Sequence, residues 1–223
     1  NLWVEHIETP QYAEYMLWPR AYAVAEVGRE GLVSLRDVQA FHQRAVAASD
    51  YLRDSLGINA FDLHKEVGER KVNTVDQAFA ADVEYKTMPH RAYSASGLTA
   101  LNDGHFGGWN FNDHKWQGFI GASGMDVVLD MGGVRNLSTI EGDFLQSCGP
   151  EIFFPYHIII SASRDGKKYK ILSDKEYAYI YAAKPDDYRQ LGWHGSAKAR
   201  YIRVQALPGP KRGWVFCSEI IIK

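Results

Sequence analysis

The 223-residue chain is short of cysteine, of excess charge of either sign and of long apolar runs, and each shortage removes a class of protein. Its two cysteines, Cys148 and Cys217, are too few for a disulfide framework and match no metal-ligand spacing. With 25 Lys+Arg against 27 Asp+Glu, no concentrated basic block stands out, which argues against a nucleic-acid partner. No apolar run approaches the roughly 20 residues that span a bilayer, so no membrane insertion is expected. Asn1-Leu2-Trp3 reads neither as a signal peptide nor as a natural start, and the expectation is a chain cut from a longer one. Repeats and low-complexity segments are also lacking. What is present is a 46% hydrophobic composition, ample for a core. Cys217 lies in the apolar run Trp214-Val215-Phe216 and reads as a buried free thiol.

The composition changes near residue 70. Before it the pattern is helical. Thr9-Pro10 supplies a cap and a first-turn proline, and Gln11 to Val27 is rich in Ala, Glu, Leu and Met. Pro19 predicts a break around Trp18, and Gly28 is expected to end the run. Ser34-Leu35-Arg36-Asp37 has capping-box spacing. Val38, Phe41, Ala45, Ala48, Leu52 and Leu56 then recur at helical intervals, with Gly57 placed as a C-cap. Residues 68–75 are polar and read as a linker. Beyond it the apolar period becomes two. Strands are expected over Met125 to Met131 (ended by Gly132-Gly133), Leu137 to Phe144, His157 to Ser163, Lys168 to Leu172, Tyr177 to Ala182, Ala199 to Ala206 and Trp214 to Ile222. Arg164-Asp165-Gly166-Lys167 reads as a hairpin turn. Many short strands with turns between them predict a mainly β fold, a sandwich or jelly roll, behind an N-terminal α-helical segment.

One stretch carries the chemistry, Gly97-Leu-Thr-Ala-Leu-Asn-Asp-Gly-His-Phe-Gly-Gly-Trp109. It holds one carboxylate, Asp103, among glycines that let backbone carbonyls turn toward a common point. A hard cation such as calcium takes that mix of carboxylate and carbonyl oxygens. Asp-Gly is equally a common turn dipeptide, so the stretch read alone leaves turn and cation loop both open.

The region 76–223 carries Ala100-Leu101-Asn102-Asp103-Gly104, Trp116-Gln117-Gly118-Phe119 and Val127-Val128-Leu129-Asp130-Met131-Gly132. It also carries Ser161-Ala162-Ser163-Arg164-Asp165-Gly166, Ala199-Arg200-Tyr201-Ile202-Arg203-Val204 and Trp214-Val215-Phe216-Cys217-Ser218-Glu219-Ile220. In order and spacing these resemble the factor V/VIII type C, or discoidin-like, fold shared with family 32 carbohydrate-binding modules. The resemblance implies a galactose-binding-like jelly-roll β-sandwich. It also implies a structural calcium held by the side chains of Asp103 and Glu219, with Leu101, Gly108 and Ser218 as candidate carbonyl ligands. Such an ion would staple the first loop to the last strand. His105 and Gly107-Gly108 depart from the pattern, where relatives often carry Asp and Thr.

Residues 1–67 carry Asn1-Leu2-Trp3-Val4-Glu5, Tyr15-Met16-Leu17-Trp18-Pro19-Arg20-Ala21 and Ala25-Glu26-Val27. They resemble the C-terminal end of a family 20 glycoside hydrolase barrel, the β-N-acetylhexosaminidases. The resemblance implies that Trp3 walls the sugar subsite and Glu5 bonds sugar hydroxyls; Arg29 departs from it. That family works through an adjacent Asp-Glu pair and the substrate's own acetamido group. No Asp-Glu dipeptide occurs in this chain, so the stretch is expected to be inactive alone, with the catalytic part of the barrel upstream.

The function left is binding. Sugar modules set an aromatic ring against a pyranose and surround it with polar side chains. The candidates are Trp109, Asn110, Trp193, His194, Arg212 and Trp214, with the glycine-flanked Trp193-His194-Gly195 expected in a loop; the discoidin-like resemblance implies that Trp116 packs in the core. The expected partners are glycans ending in galactose or N-acetylhexosamine and the upstream barrel, in a secreted, periplasmic or surface enzyme. The rival reading is a structural or protein-interaction domain whose loop tryptophans are all buried. Phospholipid binding is disfavoured, since apolar spikes ringed by basic residues are missing. The helical front, cut from its barrel, has to pack, pair with a copy or stay mobile.

Overall fold

The computed structural model describes residues 10–18, 20–30, 38–61, 63, 76–108, 110–178, 187–210 and 213–223. The described residues fall into two compact units, one within 10–63 and one within 76–223. The Ser34–Asp37 box and the 68–75 linker lie outside the described residues.

The first unit is helical: α1 (Pro10–Leu17), α2 (Arg20–Glu30) and α3 (Val38–Leu56). The break at Trp18 is present, and Arg20 Nη1 closes it by donating to the Met16 carbonyl at 3.1 Å. Gly28 does not end the second helix as expected. The helix runs through it to Glu30, because glycine costs a helix only about 1 kcal/mol. Gly57 does end α3, at φ +66, with the Ile58 N–H returning to the Leu52 carbonyl at 2.9 Å. Tyr15 (2% exposed), Ala45 and Phe61 are buried, with the Tyr15 and Phe61 rings 5.5 Å apart.

The second unit is antiparallel β of jelly-roll type. Its strands are β1 (Asp82–Tyr85), β2 (Gln117–Ile120), β3 (Met125–Gln146), β4 (His157–Ser163), β5 (Lys170–Glu176), β6 (Asp187–Leu207) and β7 (Trp214–Ile222). They run in the order β2-β7-β3-β6-β4-β5, with β1 on β3. The period-two reading places β4 and β7 at the observed bounds. Elsewhere the structure corrects it. Gly132-Gly133 does not end a strand: β3 continues for 22 residues, with register shifts between Asp130 and Arg135 and between Leu137 and Thr139. Before the shift β3 pairs with β1; after it, with β7; β6 accompanies it throughout. Two long bent strands therefore serve both layers, and the core lies between their halves. Tyr177 and Ala178 are not strand, and 179–182 lie outside the described residues.

Met125, Val127, Leu129 and Met131 face that core with Val204, Ile202, Ile158 and Ile160. The opposite face carries Asp126 and Asp130. Each accepts a two-pronged bond from an arginine of β6, Arg203 at 2.8 and 2.6 Å and Arg200 at 2.7 and 2.8 Å. In β7 the Asp143–Phe144 shift opposes Glu219 and Cys217 and skips Ser218, a β-bulge. Val215 and Cys217 face the main core before it, Ile220 and Ile222 after it, so the bulge inverts the parity. Cys217 is the buried free thiol expected, and burial pushes its titration well up.

Candidate functional site

The Gly97–Gly108 loop is built around buried Leu101 in a 3₁₀ turn, Ala100–Asn102. Asn102 Nδ2 donates to the carbonyls of Ala78 (2.9 Å) and Ala81 (2.8 Å), tying the loop to the start of the β unit. Asp103 accepts from Ser96 Oγ at 2.7 Å and from the His105 N–H at 3.0 Å. Gly104, at φ +84, donates its N–H to Glu219 Oε2 at 3.2 Å, so the loop and the last strand do meet. Asp76 makes a second tie. Its Oδ1 accepts from the N–H of Ala78 (2.8 Å) and of Ile222 (2.9 Å). These hydrogen bonds tie the two ends of the β unit together.

Gly107 and Gly108 seat a tryptophan. An ideal Cβ on Gly107 would lie 2.0 Å from the Trp116 ring. Trp116 is 1% exposed, in the core as expected, and its Nε1 donates to the Gly108 carbonyl at 2.9 Å. The Gly108 N–H donates to Asp113 Oδ2 at 2.6 Å. Gly108, a candidate carbonyl ligand, is thereby engaged with the indole.

Glu219 is the most perturbed acid of the site. It is fully buried, and its Oε1 has no hydrogen-bond partner among the described residues. Burial, reinforced by the charges of Asp103, Asp76 and Asp143 and opposed by the Gly104 N–H, pushes its carboxyl up to about 9. Burial likewise raises Asp76, whose Oδ2 is also buried and unpartnered. Asp143, fully buried, accepts from Ser218 Oγ at 2.6 Å. Among the described residues no three side chains of His, Cys, Asp and Glu converge as a metal needs. A hard cation here would therefore have to draw on backbone carbonyls beside Asp103 and Glu219. The orphaned Glu219 oxygen and the uncompensated negative charge fit such an ion.

The aromatic candidates scatter. Trp193 and His194 are not in a loop: they lie within β6, opposite Ile140 and Thr139 of β3. Gly192 is glycine because a Cβ would meet the Ile140 carbonyl oxygen at 2.0 Å, and Gly195 because it would meet the Trp193 ring at 2.4 Å. Trp193 packs, partly buried, against the main core. Both nitrogens of His194 are engaged, with Glu141 Oε1 at 2.9 Å and Thr139 Oγ1 at 3.4 Å. Asn110 lies on an exposed turn, closed by the Asp113 N–H donating to its carbonyl. Trp3, Glu5, Trp109 and Arg212 lie outside the described residues.

Trp214 is the candidate that acquires a setting. Half-buried at the start of β7, it meets His90 edge-on at 5.3 Å and Tyr93 edge-on at 5.1 Å. Phe216 and Phe111 continue the cluster behind them. Gly213, at φ +89, lets the chain pass within reach of Glu151 and Phe153, where a Cβ would clash at 2.7 and 2.8 Å. The exposed His90 ring accepts the Ala92 N–H on Nδ1 at 3.3 Å, which assigns its neutral form a proton on Nε2, a donor with no partner among the described residues. Sequence reading missed His90 and Tyr93. The only trace was a basic-aromatic run, His90-Arg91-Ala92-Tyr93, with no periodicity to place it against residue 214.

A scan against protein-family models finds no match, and a comparison with curated proteins finds none either. Solved structures do align with this chain. One is the module CpGH89CBM32-5 of Clostridium perfringens in complex with GalNAc-β-1,3-galactose, at 16% identity over 66% of this chain and 97% of that one, TM-score 0.46. Another is the family 32 module of NanJ from the same organism with galactose, at 13% identity over 66% and 96%, TM-score 0.46. A chitosan-binding module of a Paenibacillus chitosanase/glucanase with chitotriose aligns at 11% identity over 66% and 98%, TM-score 0.43. Similarity at this level concerns the fold; the site stands on this chain's own residues.

Proposed function

We propose that the β unit is a non-catalytic carbohydrate-binding module for terminal galactose or N-acetylhexosamine, and that Trp214 is its sugar platform. The observation carrying this is the half-buried indole of Trp214 beside the His90 and Tyr93 rings, with an imidazole donor at its margin. An apolar sugar face needs a ring, and its hydroxyls need donors placed around that ring. Calorimetric titration of galactose, N-acetylgalactosamine and N-acetylglucosamine is expected to give heat for at least one. That heat should weaken at least about tenfold in Trp214→Ala and in the milder His90→Ala. Silence from every sugar defeats the proposal.

The same reading takes residues 1–67 as the end of a family 20 hexosaminidase barrel. The module then directs a secreted, periplasmic or surface glycan-degrading enzyme to its substrate. The reading also includes a structural calcium at Asp103 and Glu219, completed by carbonyls of Leu101, Gly108 and Ser218, in which the ion offsets buried negative charge. A structural or protein-interaction role is the second reading. It is favoured by one observation, that Trp193 is held within a strand rather than presented on a loop.

A further inference from the structure

Where β4 turns into β5, the β unit has a groove of about 440 Å³ lined by Arg164, Lys168, Lys170, Lys198, Asp165 and Ser196, over a small apolar floor of Ala162, Leu172 and Ala197. Its volume is in the range of small-ligand sites. Three chain segments build it: the 164–168 turn, β5 through Lys170, and β6 through Lys198, which pairs with Asn136 of β3. The Arg164 Nε donates to the Lys198 carbonyl at 3.5 Å, joining turn to strand.

The single acid of the groove is consumed by the turn. Asp165 Oδ1 accepts from the N–H of Lys167 (2.9 Å) and Lys168 (3.0 Å) and from Ser163 Oγ (2.9 Å). Those bonds hold its carboxyl down at about 2, so it stays charged with one oxygen committed to the turn. The four cations are exposed, and no carboxylate among the described residues forms an ion pair with any of them. Four positive groups against one spoken-for negative leave a local excess of three, on a chain whose formal net charge is −2. The local sign is therefore opposite to that of the whole molecule. Elsewhere on the β unit Arg200, Arg203 and Arg189 are each matched to an aspartate. Unmatched cations gathered in a concavity with an apolar floor attract anions that also offer some apolar surface.

We propose that this groove binds an anionic polysaccharide segment, its sulfate or carboxylate groups held by Arg164, Lys168, Lys170 and Lys198, at a site separate from Trp214. That the partner is a saccharide rests on the carbohydrate-binding reading; that it is an anion rests on the groove alone. Lysines outnumber arginine three to one here, which suits point-charge contacts to several anionic groups along a chain better than one bidentate clamp.

The test is titration of the protein with dextran sulfate, polygalacturonate and unmodified dextran at about 50 mM and about 500 mM NaCl. Wild type is expected to bind at least one of the two anionic polymers, at least about tenfold more tightly than dextran, with most of the affinity lost at high salt. Lys168→Glu/Lys198→Glu changes two exposed side chains, so the melting temperature checks that folding is intact. It should lose at least about tenfold in anion affinity while keeping any response to galactose or N-acetylhexosamine. Trp214→Ala should do the reverse. Sulfate and carboxylate are told apart by which polymer binds. Failure of both anionic polymers, or equal binding by the charge-reversed variant, overturns the groove. A DNA duplex bound as tightly as either polysaccharide overturns the saccharide assignment. Loss of the neutral-sugar response alone leaves the groove standing and defeats only the Trp214 reading.

Discussion

The calcium-free protein will lose stability as the pH rises from about 5 to about 8, opposite to the usual gain on leaving acid conditions. The cause is Glu219, pushed by burial and by Asp103, Asp76 and Asp143 from an ordinary 4.5 up to about 9. Between those limits the folded chain keeps a proton that the unfolded chain has released. Stability from this group is complete below the ordinary value and drains away as pH climbs toward the folded one. Asp76, raised as well, adds in the same direction. Asp130 and Asp165, both lowered, act only in acid, beneath this window. A single proton sets a limiting slope of about 1.4 kcal/mol per pH unit, or roughly 3–6 °C in melting temperature for a chain of this size.

Two additions to that melting series separate the acid from the ion. Glu219→Gln keeps an oxygen for the Gly104 N–H and removes the ionisable group, so its melting temperature should lose most of the slope across the window and keep only what Asp76 supplies. Calcium should flatten the wild-type curve and leave Glu219→Gln unmoved, because an ion bound beside the carboxylate favours the ionised form. A flat curve for wild type in chelator sinks the electrostatic account. A sloping curve that ignores calcium sinks the cation while leaving the acid cluster intact.

The second large effect is Gly107→Ala, expected to cost about 3–5 kcal/mol in chemical denaturation. The added carbon would enter the Trp116 ring at 2.0 Å from Cε2 and 2.2 Å from Nε1. That ring cannot step aside, since it is buried against Leu145, Ile152 and Phe216 and pinned by its bond to the Gly108 carbonyl. Gly108→Ala is the contrast. Its nearest neighbour would be Asp113 Oδ2 at 3.4 Å, ordinary contact, so a loss under about 1 kcal/mol is expected. Equal losses in the two variants would mean that the loop needs glycine for its backbone rather than to seat the tryptophan.

The glycines also explain where the residues misled. Gly132-Gly133 reads locally as a stop, yet β3 bends there and resumes because β6 pairs with it on both sides. Gly192 and Gly195 read as loop flanks around Trp193. They are strand positions where a neighbouring backbone and the Trp193 ring come too close for any side chain. A glycine marks either freedom or close approach, and sequence alone does not say which.

By itself the sequence determined the helical front, the β class of the rest, the bounds of β4 and β7 and the burial of Trp116 and Cys217. All but the burial of Trp116, which the family resemblance implied, follow from periodicity and apolarity along a few consecutive residues. The tertiary structure alone decided what stands beside what. It joined two predicted strands into one and inverted the parity of β7 at Ser218. It set Gly104 against Glu219 from 115 residues away and gathered Arg164, Lys168, Lys170 and Lys198 around one groove. It also brought His90 and Tyr93 to Trp214. Such juxtapositions depend on pairing between strands far apart in the chain, and no local pattern encodes that distance.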